Sequence, residues 1–251
     1  MTSFCLFSRH VTLRCEPSIA TAYGRASLEG RRAVSKDVRL RIHPDGWPYI
    51  AIAVLLNALL FAFAGWFGLV LVPVTAWCIA FFRDPERTTP DGAGLVVSPA
   101  DGVMLPVVNA APPAELGMGG ELRQRLSIFM NVFDVHVNRV PADGTVKALA
   151  YRPGRFINAS FDKASEDNER MAIRLSLVNG QEIAVVQIAG LVARRIRCDL
   201  KENEVVRKGA RFGIIRFGSR LDVYLPADAK VAVKRGQKVK AGETVLATLR
   251  E

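Results

Sequence analysis

The sequence predicts a mainly β protein: a compact β-barrel or β-sandwich domain preceded by an N-terminal hydrophobic helical hairpin. Three observations carry this. Residues 47–82 run for 36 positions without a charged side chain. From residue 88 onward, short apolar runs recur between Gly, Pro, Asp and Asn, the punctuation of successive strands. No long amphipathic helical pattern interrupts them, which points to an all-β layer architecture. A chain of 251 residues accommodates one such domain plus an appendage.

Taken in order, residues 1–45 form a polar basic tail with eight Lys/Arg against four Asp/Glu. Its acids argue against a transit peptide, and it lacks the apolar core of a signal peptide. The expectation is a disordered extension. Residues 46–83 are the membrane-anchoring helices. A single span needs roughly 20 apolar residues, so the charge-free run is too long for one and sufficient for two short ones. The turn is expected at Ala64–Gly68, where glycine and interfacial tryptophan suit a membrane edge. Basic residues stand on both flanks, Arg39 and Arg41 before and Arg83 and Arg87 after, which places both ends on the cytoplasmic side.

Residues 84–251 carry the β domain. Strands are expected at Leu95–Val97, Gly102–Val108, Arg125–Phe133, Thr145–Tyr151, Met171–Leu177, Glu182–Ile188, Ala193–Cys198, Gly213–Arg216, Leu221–Leu225, Val231–Lys234 and Thr244–Leu249. The segment Glu204–Gly209 (EVVRKG) echoes Gln237–Gly242 (QKVKAG), turns of a kind found in lipoyl-like β hybrids. No lysine sits in a hairpin suited to carry a lipoyl or biotinyl group, so the echo bears on fold and not on function.

Composition narrows the function. Half the residues are hydrophobic and 23% are charged, which excludes wholesale disorder. The net charge of +10 favours an anionic partner, a lipid surface or a charged substrate. Aromatics make up 8% and do not interleave with Lys/Arg, which argues against nucleic acid. Cys5, Cys15, Cys78 and Cys198 have neither metal-ligand nor disulfide-framework spacing, and the three histidines lie far apart, so no metal site is expected.

Three segments have residues suited to chemistry. In Asp134–Asn138 (DVHVN), strand alternation would put Asp134, His136 and Asn138 on one face, and His136 is the histidine best placed for acid/base work. Read alone, it is equally a hydrogen-bonded surface histidine. In Ser98–Gly102 (SPADG), Asp101 could orient an imidazole or could simply make an Asp-Gly turn. Gly218-Ser219, the sole Gly-Ser pair of the chain, joins a permissive backbone to a hydroxyl, although most such pairs are turns.

Six segments in order resemble the phosphatidylserine decarboxylase family, particularly its short bacterial form: Phe81–Arg87 (FFRDPER), Ser98–Gly102 (SPADG), Phe129–Pro141 (FMNVFDVHVNRVP), Asn168–Arg170 (NER), Gln187–Ile196 (QIAGLVARRI) and Phe212–Pro226 (FGIIRFGSRLDVYLP). The resemblance spans about Trp47 to Leu249 and implies a proenzyme that cuts itself between Gly218 and Ser219. Ser219 would be the nucleophile and would become a covalent pyruvoyl group, the Schiff-base partner for the serine amine of the lipid. The implied reaction converts phosphatidylserine to phosphatidylethanolamine and CO2 without a soluble cofactor, the pyruvoyl serving as electron sink. By the same resemblance His136 is the acid/base and Asp101 supports it. Long family members carry a second histidine three residues on, where this chain has Arg139, while short members share the Asp-Val-His-Val-Asn-Arg pattern. Arg139, Arg194 and Arg195 are candidates for the lipid's negative charge, within a stretch, 191–220, that has nine Lys/Arg and three Asp/Glu. The implied partners are the chain's own two cleavage products, 1–218 and 219–251, as a heterodimer, and an anionic phospholipid membrane. A higher homo-oligomer stays open. The implied location is the bacterial inner membrane, with the catalytic domain on its cytoplasmic face.

Alternative readings are a serine hydrolase built on Ser219, a non-catalytic membrane-anchored adaptor, and a decarboxylase of the related lipid archaetidylserine. The hydrolase reading lacks the G-x-S-x-G elbow.

Overall fold

The computed structural model describes residues 41–154, 167–190, 196–216 and 219–250. A helical hairpin comes first. α1 (Trp47–Ala64) and α2 (Val72–Phe81) are joined by a 3-10 segment, Gly65–Leu71. Gly65 leaves α1 with φ 58°, and the chain folds back so closely that a Cβ on Gly68 would lie 2.6 Å from the Phe61 Cα. Asn57, a polar residue inside the apolar run, is satisfied by this turn-back. In the amide orientation that suits both groups it donates to Gly68 O at 3.2 Å and accepts from Val72 N at 3.1 Å. At the open end, Tyr49 stacks on Phe82 with centroids 5.4 Å apart, and Ile42 bridges Arg83.

The outgoing leg is about 27 Å long at ~1.5 Å per helical residue. The return leg, seven 3-10 and ten α residues, comes to about 29 Å. Ile50 is the sole buried residue of α1, and Phe63 and Trp66 near the turn are 88% and 70% exposed. So extended an apolar surface marks an interaction site.

Residues 41–46 depart from the expected tail. Asp84 N donates to Arg41 O at 2.7 Å, His43 N donates to Phe82 O at 2.8 Å, and Pro44–Gly46 form a 3-10 turn. The boundary placed after residue 45 therefore falls inside a folded clasp. The rest of the expected tail, residues 1–40, lies outside the described residues.

The β domain is antiparallel throughout. Its strands are β1 (Leu95–Val97), β2 (Gly102–Met104), β3 (Val108–Ala110), β4 (Arg123–Met130), β5 (Val137–Arg139), β6 (Gly144–Arg152), β7 (Arg170–Leu177) and β8 (Glu182–Ala189). They continue with β9 (Ile196–Cys198), β10 (Val205–Val206), β11 (Arg211–Ile215), β12 (Ser219–Leu225), β13 (Lys230–Val231), β14 (Lys238–Val239) and β15 (Val245–Thr248). The large sheet runs β10-β6-β7-β8-β12-β4-β2-β14, with β3 also on β4. Two small sheets, β1-β15-β13 and β5-β11-β9, complete the fold.

The sheet that matters most is organised around β12, held between β4 and β8 and buried at every residue. Leu221, Val223 and Leu225 point into the main core with Leu126, Ile128, Val185 and Phe212. The opposite face buries charge: Arg220 donates to Asp222 at 2.6 Å and to Ser127 Oγ at 2.7 Å. Such a network is tolerated in a core because its polar atoms are paired.

Candidate active site

Ser219 opens β12 and is fully buried, paired with Met130 of β4 and Ala189 of β8. Alternation turns its side chain to the same face as Leu221, the core side. Its Oγ has no hydrogen-bond partner among the described residues. A buried hydroxyl left unpaired costs about 1–3 kcal/mol, so an orphan here is an observation to be explained.

His136 lies just before β5 and is also fully buried. Its carbonyl accepts from Ile215 N at 3.4 Å, next to the strand that leads toward Ser219. Its Nδ1 is 3.0 Å from the Asp134 carbonyl. A carbonyl only accepts, so Nδ1 carries the proton and Nε2 presents a bare lone pair. Nε2 too has no partner. Burial, with the positive Arg83 nearby, outweighs the Asp134 hydrogen bond and pulls the imidazole pKa down to about 4. The group is a neutral base at physiological pH.

The shared strand face expected for Asp134, His136 and Asn138 is only partly formed. Asp134 belongs to a turn, where its carboxylate accepts from Asn131 N at 2.8 Å, and it meets His136 through its backbone. Asn138 is buried on β5. It accepts from Gln187 Nε2 at 2.8 Å and directs its own amide at Met130 Sδ, 3.8 Å away. Gln187 faces Leu221 across the ladder, and its Oε1 is a third buried atom without a partner. Among the described residues, Ser219 Oγ, His136 Nε2, Gln187 Oε1 and Arg216 Nε are buried without a hydrogen-bond partner, on β12, on β8 or beside the strands β5 and β11. Gln187 was missed in the sequence, although a lone glutamine in the apolar run Glu182–Ala189 (EIAVVQIA) is a readable signal.

Asp101 holds different contacts. Its carboxylate takes Arg87 at 2.7 Å and the Ala241 N–H at 2.7 Å. Burial raises its pKa against the opposing pull of those two donors. It makes no hydrogen bond to His136, whose ring nitrogens are accounted for above. Its loop is nonetheless anchored beside β5, because Arg139 N donates to Pro99 O at 2.8 Å. Gly102 fits there because a Cβ would lie 2.2 Å from Phe129 O.

Arg139 is buried and turned toward protein partners, not toward an open surface. It is 5% exposed and donates to Gly209 O and Pro85 O, each at 2.9 Å, and to Asp84 at 3.5 Å. It braces the Phe81–Arg87 segment, with Arg211 reaching the same Asp84 at 2.6 Å. Gly218, Arg194 and Arg195 lie outside the described residues.

Arg216, three residues before Ser219, is held by the base of the hairpin. It donates to Asp45 at 2.7 Å and to Tyr49 Oη at 2.8 Å, and its guanidinium lies 5.4 Å from the Tyr49 ring centroid. Asp45 also receives Arg197 of β9. Burial alone would raise the Asp45 pKa, but the Arg216 hydrogen bond and the charges of Arg197 and Arg216 prevail and hold it below the usual carboxylate range.

Ser219 and its ladder neighbours Met130 and Ala189 all lie in segments that resemble one family, and comparison with known proteins agrees. The phosphatidylserine decarboxylase family model matches residues 74–247. The chain belongs to the phosphatidylserine decarboxylase family. It is 53% identical to the phosphatidylserine decarboxylase proenzyme of Paramagnetospirillum magneticum over 229 residues, 90% of this chain and 94% of that protein. The proenzyme of Cereibacter sphaeroides is 57% identical over 211 residues, 83% of this chain and 90% of that protein. That of Rickettsia bellii is 53% identical over 206 residues, 82% and 89% of the two chains.

Proposed function

We propose that this chain decarboxylates phosphatidylserine to phosphatidylethanolamine after cutting itself between Gly218 and Ser219. The observation that carries the reading is the pair of unpartnered buried atoms, Ser219 Oγ and His136 Nε2. A hydroxyl kept from water and a neutral imidazole with its lone pair free suit a nucleophile and its base. In cleavage, Nε2 takes the Ser219 proton and Oγ attacks the Gly218 carbonyl. The same nitrogen returns the proton to the Ser219 nitrogen as the carbon–nitrogen bond breaks, leaving an ester between Gly218 and Oγ. Loss of the Ser219 Cα proton then expels the Gly218 carboxylate from Cβ, and the dehydroalanine left behind tautomerises and is hydrolysed by water to pyruvoyl and ammonia.

The residues present fit a pyruvoyl group made from Ser219. The position is enclosed and its backbone is held on both sides, with the orphan Gln187 Oε1 as a spare acceptor. Such a group supplies an electron sink for the electrons released as CO2 leaves. His136 Nε2, having taken a proton from the lipid's ammonium group as it binds, would then deliver it in place of the carboxylate. Asp101 acts at one remove, by fixing its loop through Arg87 and Ala241 against β5. Arg194 and Arg195 are proposed to meet the lipid's negative charge.

The two products would remain a heterodimer, because β12 in the small chain pairs along its length with β4 and β8 in the large one. The hairpin would insert in the bacterial inner membrane, with the β domain on the cytoplasmic side, as Arg41, Arg83 and Arg87 at its base favour.

Intact-mass analysis of detergent-solubilised protein tests this. Two chains divided after Gly218, the smaller beginning with a pyruvoyl mass, are expected. Ser219→Ala is expected to remain a single inactive chain. A wild-type chain that stays at 27.5 kDa on incubation overturns the reading. Assay of phosphatidylserine against archaetidylserine identifies the lipid.

A further inference from the structure

We infer that Asp45 and Tyr49, at the base of the hairpin, position Arg216 and through it the acyl side of the Gly218–Ser219 bond for self-cleavage. The inference rests on the cleavage reading above and extends it to residues far from the cut in sequence.

The described residues that flank that bond, Arg216 and Ser219, are held by different parts of the molecule. On the amine side, Ser219 is fixed by ladder pairing to Met130 and Ala189. On the acyl side, β11 ends at Ile215, and Arg216 turns to the hairpin base rather than to the sheet. There its guanidinium has a carboxylate at 2.7 Å, a phenol at 2.8 Å and an aromatic face. The Arg216 and Asp45 side chains are 17% and 9% exposed, so solvent screens the pair far less than a surface ion pair.

The clamp is itself anchored. Tyr49 stacks on Phe82, and Asp45 sits in the 3-10 turn behind the Ile42–Arg83 bridge. Arg197, the second partner of Asp45, lies on β9, which pairs with β11. The hairpin base is thereby tied to β9 through Arg197 and to the end of β11, the strand that precedes the cut, through Arg216.

The chemistry explains why position matters here. Oγ forms a bond to the Gly218 carbonyl carbon, the carbon–nitrogen bond breaks, and the nitrogen gains the proton that the hydroxyl gave up. The resulting ester is opened when Ser219 loses its Cα proton and the Cβ–Oγ bond breaks, which releases the Gly218 carboxylate and separates the chains. Attack requires the reacting atoms about 3–3.5 Å apart and aligned, and a misplacement of about 1 Å can cost roughly 100-fold. Ladder pairing fixes Ser219, and the clamp fixes Arg216, the described residue nearest the cut on the other side.

The test follows processing of precursor made by cell-free translation in the presence of phospholipid vesicles, read on gels over time. Asp45→Asn keeps the shape and removes the charge, and is expected to slow cleavage by about 10–100-fold. Asp45→Glu is expected to recover most of the rate. The exchange Asp45→Arg with Arg216→Asp is expected to cleave faster than either single change. Arg197→Ala, which spares the Arg216 contact, is expected to cleave close to wild type. Once processed, Asp45→Asn is expected to decarboxylate with wild-type kcat and KM, a split that general destabilisation does not give. Removing residues 1–40 is expected to preserve cleavage, whereas removing 1–45 is expected to slow it.

Wild-type cleavage of Asp45→Asn overturns the inference, as does a parallel fall in cleavage, kcat and melting temperature. Wild-type protein that fails to yield two chains in the same assay overturns the cleavage reading instead.

Discussion

The ring of Phe81, the last residue of the hairpin, lies against the imidazole of His136 with centroids 4.2 Å apart. This contact joins the apolar appendage to the proposed catalytic base, and it helps shut water away from His136. With the pKa down at about 4, His136 is unprotonated well into the acid range. The acid limb of the cleavage rate is therefore expected near pH 4 rather than near the ordinary histidine value of 6.5. Phe81→Ala admits water and is expected to move that limb up by about 1–2 pH units, whereas Phe81→Leu keeps the site dry and moves it less. Cleavage rates from pH 3.5 to 8 decide this.

The same burial has a consequence for stability. The folded pKa of His136 is depressed, so the unfolded state binds the extra proton between pH 6.5 and about 4. Stability is present above 6.5, falls as the pH drops through that window by about 3 kcal/mol, and levels off below it. Denaturant unfolding of Ser219→Ala at pH 7 and pH 4, with and without His136→Phe, is expected to show this loss only where the histidine is present.

Behind Ser219, Asp222 is fully buried and receives Arg220. Asp222→Ala strands a buried guanidinium and is expected to cost about 3–5 kcal/mol. Because the network pins β12 to β4, the variant is expected to process slowly as well as melt early. Unchanged thermal unfolding in detergent would show that the network is not what fixes the strand.

Asn138 and Gln187 are coupled by their 2.8 Å hydrogen bond. Asn138→Leu or Gln187→Leu alone leaves a buried amide unsatisfied, at about 1–3 kcal/mol each. The double variant is expected to cost clearly less than the sum, with a coupling of about 0.5–3 kcal/mol. Additive losses in unfolding experiments would mean that the two amides act separately.

Much of this was legible in the sequence, for reasons that differ by element. The hairpin was readable because 36 uncharged residues leave few other outcomes. β6, β7 and β8 were readable because each is eight or nine residues long. β10, β13 and β14 have two residues each, too few to show alternation. The expected strand Gly102–Val108 is split, since Pro106 cannot donate to a ladder. At the site, the Gly-Ser pair marked Ser219, but its isolation from any partner is a fact of packing. The Asp45–Arg216 contact spans 171 positions, and local pattern carries no trace of it. The surroundings of Arg139 were hidden for the same reason: its charge is read from the sequence, whereas only the fold reveals Gly209, Pro85 and Asp84 around it.

The hairpin dimensions give the last prediction. Each leg approaches the roughly 30 Å hydrocarbon thickness of a bilayer, and tryptophans mark its two ends, Trp47 at the base and Trp66 at the turn. A hairpin standing upright would carry Trp66 to the far interface while Trp47 stays at the near one. One lying flat would keep both at similar depth. Single-tryptophan variants that retain Trp47 or Trp66, with Trp77 replaced by Phe, are expected to separate in vesicles. Trp47 should be quenched by headgroup quenchers in the leaflet that faces the added protein, and Trp66 by those confined to the opposite leaflet. Equal quenching of both from the near side would show that the hairpin dips and does not cross. Phe63→Asp, which puts a charge at the exposed turn, should then weaken vesicle binding only modestly, whereas in an upright hairpin it must carry that charge across the bilayer and should weaken insertion strongly.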